Sequence, residues 1–215
     1  MYAGHAAIAL ALKSRDPRVP LVPLALACYG PDWVELALMI PHPREGMAPY
    51  SHSIPAVLLG ALLAGGLFGI VAGRRGAGLV AAGWLLHWPA DLLTGHKPLL
   101  GLVPLIGLDL YRVPLADLAL EALAVIIGCA LYARAVATTS AHRHIVIAMG
   151  TVLVFLQLGL DIVISASDPQ PWEPSLANVW WQPHLKGAGV LRTSLAHETR
   201  VSTASASWGQ TIRLE

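Results

Sequence analysis

Charge is the first thing this chain lacks. Asp, Glu, Lys and Arg make up 13% of its 215 residues, against about 25% in a typical soluble domain. Hydrophobic residues supply 55%, and the mean hydropathy is +0.60. Such a chain cannot cover a water-facing surface, so a soluble globular domain is excluded and an integral membrane protein is implied. The few charges nearly cancel, at a net +1, which leaves no basic field for nucleic acid. Cysteine is scarce as well: Cys28 and Cys129 both lie in apolar stretches, so neither a disulfide framework nor a thiolate metal site follows. A signal-peptide layout is also missing, because Lys13, Arg15 and Arg18 follow the first apolar run instead of preceding it.

Long apolar runs are abundant. A spanning helix needs about 20 mostly apolar residues, and four runs qualify: Ile54 to Gly73, Gly76 to Gly95, Leu115 to Val136, and His144 to Ile164. Ala3 to Lys13 is apolar but only about 16 Å long as a helix. Val19 to Ile40 is long enough, yet Gly30-Pro31-Asp32 interrupts it. These two segments read as a helical hairpin with a short first arm and a broken second arm. The fold expected is an all-α, polytopic membrane bundle of about four to five spanning helices plus a short N-terminal half-helix. Residues 1–164 form the membrane domain. From Ser165 to the end the composition turns polar and aperiodic, with Asp168-Pro169-Gln170-Pro171 breaking any helix, so residues 165–215 read as a disordered tail.

Positive charge gives an orientation. Three short turns hold Lys13, Arg15 and Arg18, then Arg74 and Arg75, then Arg134 and Arg143, whereas the opposite loops hold only Arg44, Lys97 and Arg112. The positive-inside rule makes the richer turns cytoplasmic. On that topology His5, Asp32, His52, His87 and Asp91, from four separated segments, fall at one level in the outer half of the bilayer. Glu35, Asp117, Glu121 and Asp161 fall in the same half, and only Asp16 lies in a cytoplasmic turn. Ionisable groups at membrane depth persist where they pair, line a wet cavity or bind a cation.

The most compact unit is His87-Trp88-Pro89-Ala90-Asp91, whose i, i+4 spacing puts imidazole and carboxylate on one helix face. That pair can chelate a metal, or the acid can orient the histidine. Ser51 or Ser53 can cap the helix that follows His52, which leaves His52 free to point inward. His96 reads as a loop residue or a fifth ligand, His42 as a solvent residue, and His142 and His144 as headgroup contacts on the opposite face. Asp117 and Glu121 read as acids favoured at a helix N-terminus, with cation binding or pairing with Arg112 as the alternatives.

Gly4-His5, Pro31-Asp32, His52-Ser53 and the His87 to Thr94 stretch together resemble a known family. It is that of the membrane-bound, metal-dependent hydrolases described as LexA-binding and inner-membrane-associated. The resemblance covers roughly residues 1–136 of a divergent branch. It implies a bacterial inner-membrane protein with a helical His/Asp metal site and a phosphoester substrate. The chain departs from the family pattern after Pro31-Asp32, where Trp33 and Val34 precede the next acid, Glu35.

Two functions therefore compete. In a metal-dependent hydrolase, His5, Asp32, His52, His87 and Asp91 supply ligands suited to zinc, or to manganese or iron. Glu35 or Glu121 then serves as catalytic general base, and a site at headgroup depth favours a lipid or other membrane-borne ester. In a permease or ion pathway the same cluster carries protons or cations, but that route needs ionisable groups through both halves of the bilayer. A non-catalytic scaffold, with the cluster as helix glue, is the third reading.

Overall fold

The computed structural model describes residues 1–40, 50–100, 105–136 and 138–167. The tail expected from Ser165 lies outside these residues except for 165–167, which continue a helix, and His42 lies outside them too. Within them the chain is all-α apart from one two-stranded hairpin. Its helices are α1 (Ala3–Lys13), α2 (Leu21–Cys28), α3 (Gly30–Met39), α4 (Ile54–Thr94), α5 (Pro114–Val136) and α6 (Ser140–Ser167). Three of them, α4, α5 and α6, are long and apolar enough to cross a membrane, and the bent pair α2–α3 adds a fourth when taken as one span. The protein is an integral membrane protein.

The 41 residues of α4 are two arms. Gly73 sits at φ 68°, ψ −177°, a backbone conformation that glycine adopts without strain. A straight helix would separate residues 65 and 81 by about 24 Å, yet a β-carbon on Gly65 would lie 2.9 Å from that of Ala81. One on Gly69 would lie 3.1 Å from Ala77. The arms therefore run antiparallel and turn at Gly73-Arg74-Arg75, as the two sequence runs on either side of that turn require. Small residues let the backbones approach this closely. The reversal brings the segment before Ile54 back beside His87 and Asp91.

The first hairpin also forms. α1 and α2 pack through Ala9, Leu12, Val19, Leu24 and Ala27, with Val80 of α4 closing the cluster. In their turn, Asp16 accepts from Arg18 N, Nε and Nη2, and the guanidinium holds the Asp16 carboxyl down at about 2. The break expected at Gly30-Pro31-Asp32 falls at Tyr29, where α2 and α3 bend by 57°. Pro31 then occupies the first turn of α3, where its missing N–H costs nothing. On the other flank α1 packs against α5 at Gly128, where a β-carbon would lie 2.5 Å from the Ala7 carbonyl oxygen. Past α4, strand β1 (Lys97–Pro98) pairs with β2 (Leu105–Ile106), and the Leu99 carbonyl accepts from Ile54 N. That hairpin is fastened to the end of the bundle that carries the histidines.

Candidate metal centre

Each element delivers its side chain for a local reason. The bend at Tyr29 exposes the start of α3, so Asp32 lies in a first turn, where an acid is favoured. The one-turn 3-10 segment Tyr50–His52 turns His52 inward. Ser53 then caps α4, its Oγ accepting from Ala56 N at 3.4 Å. His87 and Asp91 descend one face of the second arm of α4.

The result is four donor atoms within 4.8 Å of one another, from Asp32, His52, His87 and Asp91. His52 Nε2 and His87 Nε2 are 3.0 Å apart. Asp32 Oδ1 lies 3.2 Å from His52 Nε2 and 3.6 Å from His87 Nε2. Asp91 Oδ2 lies 3.5 Å and 3.2 Å from the same two nitrogens. In a tetrahedral site with metal–ligand bonds of about 2.0–2.1 Å the donor atoms stand about 3.3–3.4 Å apart. Five of the six edges here bracket that length.

The protons are arranged to match. His87 Nδ1–H donates to the Cys28 carbonyl at 2.8 Å. His52 Nδ1–H is spent on Ser51 Oγ and Glu35 Oε2, at 2.9 and 3.1 Å. In these tautomers both Nε2 atoms turn a lone pair inward, towards Asp32 Oδ1 and Asp91 Oδ2, the second of which also receives the Lys97 ammonium at 2.6 Å. Four donor atoms facing one point could hold a metal ion, and backbone or carboxylate partners on the outer nitrogen are the usual setting of a metal-ligating histidine. His52, His87 and Asp91 are buried, but the Asp32 side chain is 42% exposed, so the centre opens to the outside on that one side.

His5 adjoins this quartet. Its ring stacks on that of His87 with centroids 4.0 Å apart, and its Nδ1 is spent on the Met1 carbonyl. Its Nε2, buried and without a hydrogen-bond partner, lies 3.5 Å from Asp91 Oδ1. The structure thus brings together all five residues expected from sequence, four as a compact quartet and the fifth as its neighbour. The two acids expected to serve as base stand elsewhere. Glu35 is behind His52, accepting from Ser51 Oγ at 2.6 Å. Glu121 is at the start of α1, accepting from Tyr2 N at 2.8 Å and Gly4 N at 2.5 Å. His96 faces Asp109 at 3.5 Å and is half-exposed, a loop position.

Several contributors escape a reading of the sequence. Lys97 Nζ reaches Asp91 Oδ2 at 2.6 Å. The Met1 ammonium reaches Asp91 Oδ1 at 2.9 Å and Thr94 Oγ1 at 2.8 Å. Ser51 had a findable signal, its position beside His52, and Lys97 had its closeness in sequence to Asp91. The Cys28 carbonyl had none, since every residue carries one. Comparison with known proteins finds no family, no curated protein and no solved structure that matches this chain.

Proposed function

We propose that the chain is a membrane-embedded, metal-dependent hydrolase, a divergent member of the inner-membrane family that its motifs resemble, acting on a phosphoester or other ester at headgroup depth. The observation that carries this reading is the quartet of inward-facing acceptors with near-tetrahedral spacing and one open side. An N₂O₂ donor set suits zinc first, with manganese or iron as substitutes. A divalent ion held there would supply Lewis-acid chemistry, polarising an ester oxygen and making water a better nucleophile. His52, His87 and Asp91 are the firm ligands, held by Glu35, Cys28 and Lys97. Asp32, 42% exposed on the open side, would be the fourth ligand, beside the route by which water or substrate enters. Glu35 works as a positioning residue for His52. The Lys97 ammonium beside Asp91 offers charge to an anionic substrate. The arginine-rich turn at Gly73 is at the far end of the α4 arms, which supports a centre on the non-cytoplasmic side.

Against a transport path stands the distribution of buried charge. Among the described residues the buried carboxylates and histidines belong to the end of the bundle that carries the centre, with Asp16 in the opposite turn as the exception. The test is turnover by detergent-purified, zinc-loaded protein in mixed micelles, with phosphomonoester, phosphodiester and carboxylester lipids as substrates. We expect hydrolysis of one class, abolished by a chelator, restored by zinc, and absent in His52→Ala. Stoichiometric metal with no turnover of any class would reduce the centre to a structural clasp.

A further inference from the structure

A second polar cluster sits where α5 and α6 meet the first turn of α1. Asp117 and Glu121 are wholly buried, Gln157 is 1% exposed and Asp161 6%. Two of the four are fully accounted for. Glu121 receives the Tyr2 and Gly4 N–H groups, and Gln157 Oε1 receives that of Ala3 at 3.3 Å. Together they satisfy three of the unpaired donors that any helix start presents. Because its oxygen faces Ala3, Gln157 turns its amide nitrogen to the acids, donating to Asp117 Oδ2 at 3.2 Å and Asp161 Oδ1 at 2.7 Å.

The remaining oxygens are not satisfied. Asp117 Oδ1 and Asp161 Oδ2 are buried and have no hydrogen-bond partner, although the two carboxyl groups are close enough to interact directly. A carboxylate can only accept, so two ionised groups cannot satisfy each other. Gln157 has spent both its N–H donors. Leaving buried oxygens unpaired is costly, and placing like charges side by side adds to the cost. One proton removes both penalties, because it makes one carboxyl a donor to the other. A metal fits less well, since Gln157 points N–H groups and not its oxygen at the pair. Among the described residues the other titratable groups that interact with the pair are Glu121, the Met1 ammonium and Tyr2; Glu121 and the ammonium are already engaged.

We propose that Asp117 and Asp161 form a buried proton-binding site, separate from the metal centre, in which one proton is shared between the two carboxyl groups under the Gln157 amide. Gln157, whose oxygen holds Ala3 N and whose nitrogen serves the pair, links this site to the turn of α1 that carries His5.

Infrared spectroscopy of the full-length protein in detergent tests this. At neutral pH the wild type shows the C=O stretch of a protonated carboxyl, shifted in heavy water. Asp117→Asn and Asp161→Asn each abolish it. Glu121→Gln and chelation of metal leave it in place. Should the Asn variants fail to fold, wild type carrying carboxyl-¹³C aspartate shifts the band and ¹³C-glutamate does not. A wild type without the band overturns the proposal, as does a band that survives both Asn variants or resists the aspartate label. A band lost on adding sodium or calcium identifies a cation site instead and overturns it equally.

Discussion

The imidazoles of His5, His52 and His87 each spend Nδ1 on an acceptor supplied by the chain and keep Nε2 for the interior. That division of labour predicts how Glu35 acts. Its carboxylate orients His52 and does not face the quartet, so Glu35→Gln weakens metal affinity by about 10–100-fold, the usual cost of losing such a partner. Competition against a chelator measures it. A base in contact with the attacking water would instead lower turnover of the metal-loaded enzyme with affinity unchanged. Lys97→Met, which keeps the length and removes the charge, raises KM for an anionic substrate more than for a neutral ester, as paired kinetics will show. At this scale the sequence carries the identity of the five converging residues, because each acid or histidine in an apolar run is conspicuous. It does not carry the roles of the acids. An acid near a helix start reads as ordinary dipole chemistry, and only the packing of α1 and α6 around them shows that Asp117 and Glu121 are buried. Gln157, neutral and inside an apolar run, gives no signal at all.

Among the elements, glycine sets how close the helices come. The Trp84 indole fills the space that β-carbons on Gly30 and Gly60 would occupy, locking the two arms of α4 to the start of α3 and so to Asp32. Gly128 does the same between α5 and α1. Gly128→Val therefore drives α1 outward and lowers stability by about 1–3 kcal/mol, the usual cost of overpacking. Gly66→Val, where nothing lies within 4 Å, leaves the unfolding temperature in detergent nearly unchanged. The turn between α1 and α2 adds an acid-range effect. Asp16 is held at about 2, below its usual 3.8. Its pairing with Arg18 therefore contributes fully above the unfolded value and fades as pH falls through the folded one. Asp16→Asn removes that dependence from the acid limb of the stability profile. The arms of α4 were readable from the arginines between two apolar runs. The bend at Tyr29 was readable to within a residue, because Gly30 and Pro31 advertise it.

The described helices form an apolar sleeve around polar contents gathered toward one end. Only 17% to 22% of each spanning window is buried, and Leu62, Leu67, Ile70, Ile126 and Phe155 face outward, as suits a chain whose solvent is lipid. The proposed orientation rests on Arg74 and Arg75 at the far end. A cysteine at Arg75 should react with a membrane-impermeant maleimide only from the cytoplasmic side, and one at His96 only from the other; the reverse pattern would turn the centre to the cytoplasm. Membrane class, bundle and converging residues all follow from hydropathy and spacing. The spacing of the quartet does not, since it depends on side-chain directions from three elements that meet only in the folded chain. The central claim is that these four side chains hold one divalent ion, and elemental analysis of the detergent-purified protein tests it most directly. Wild type should carry close to one equivalent of zinc, manganese or iron, and His87→Ala with Asp91→Ala should carry none. A folded wild type without metal, even after supplementation during expression, would contradict it.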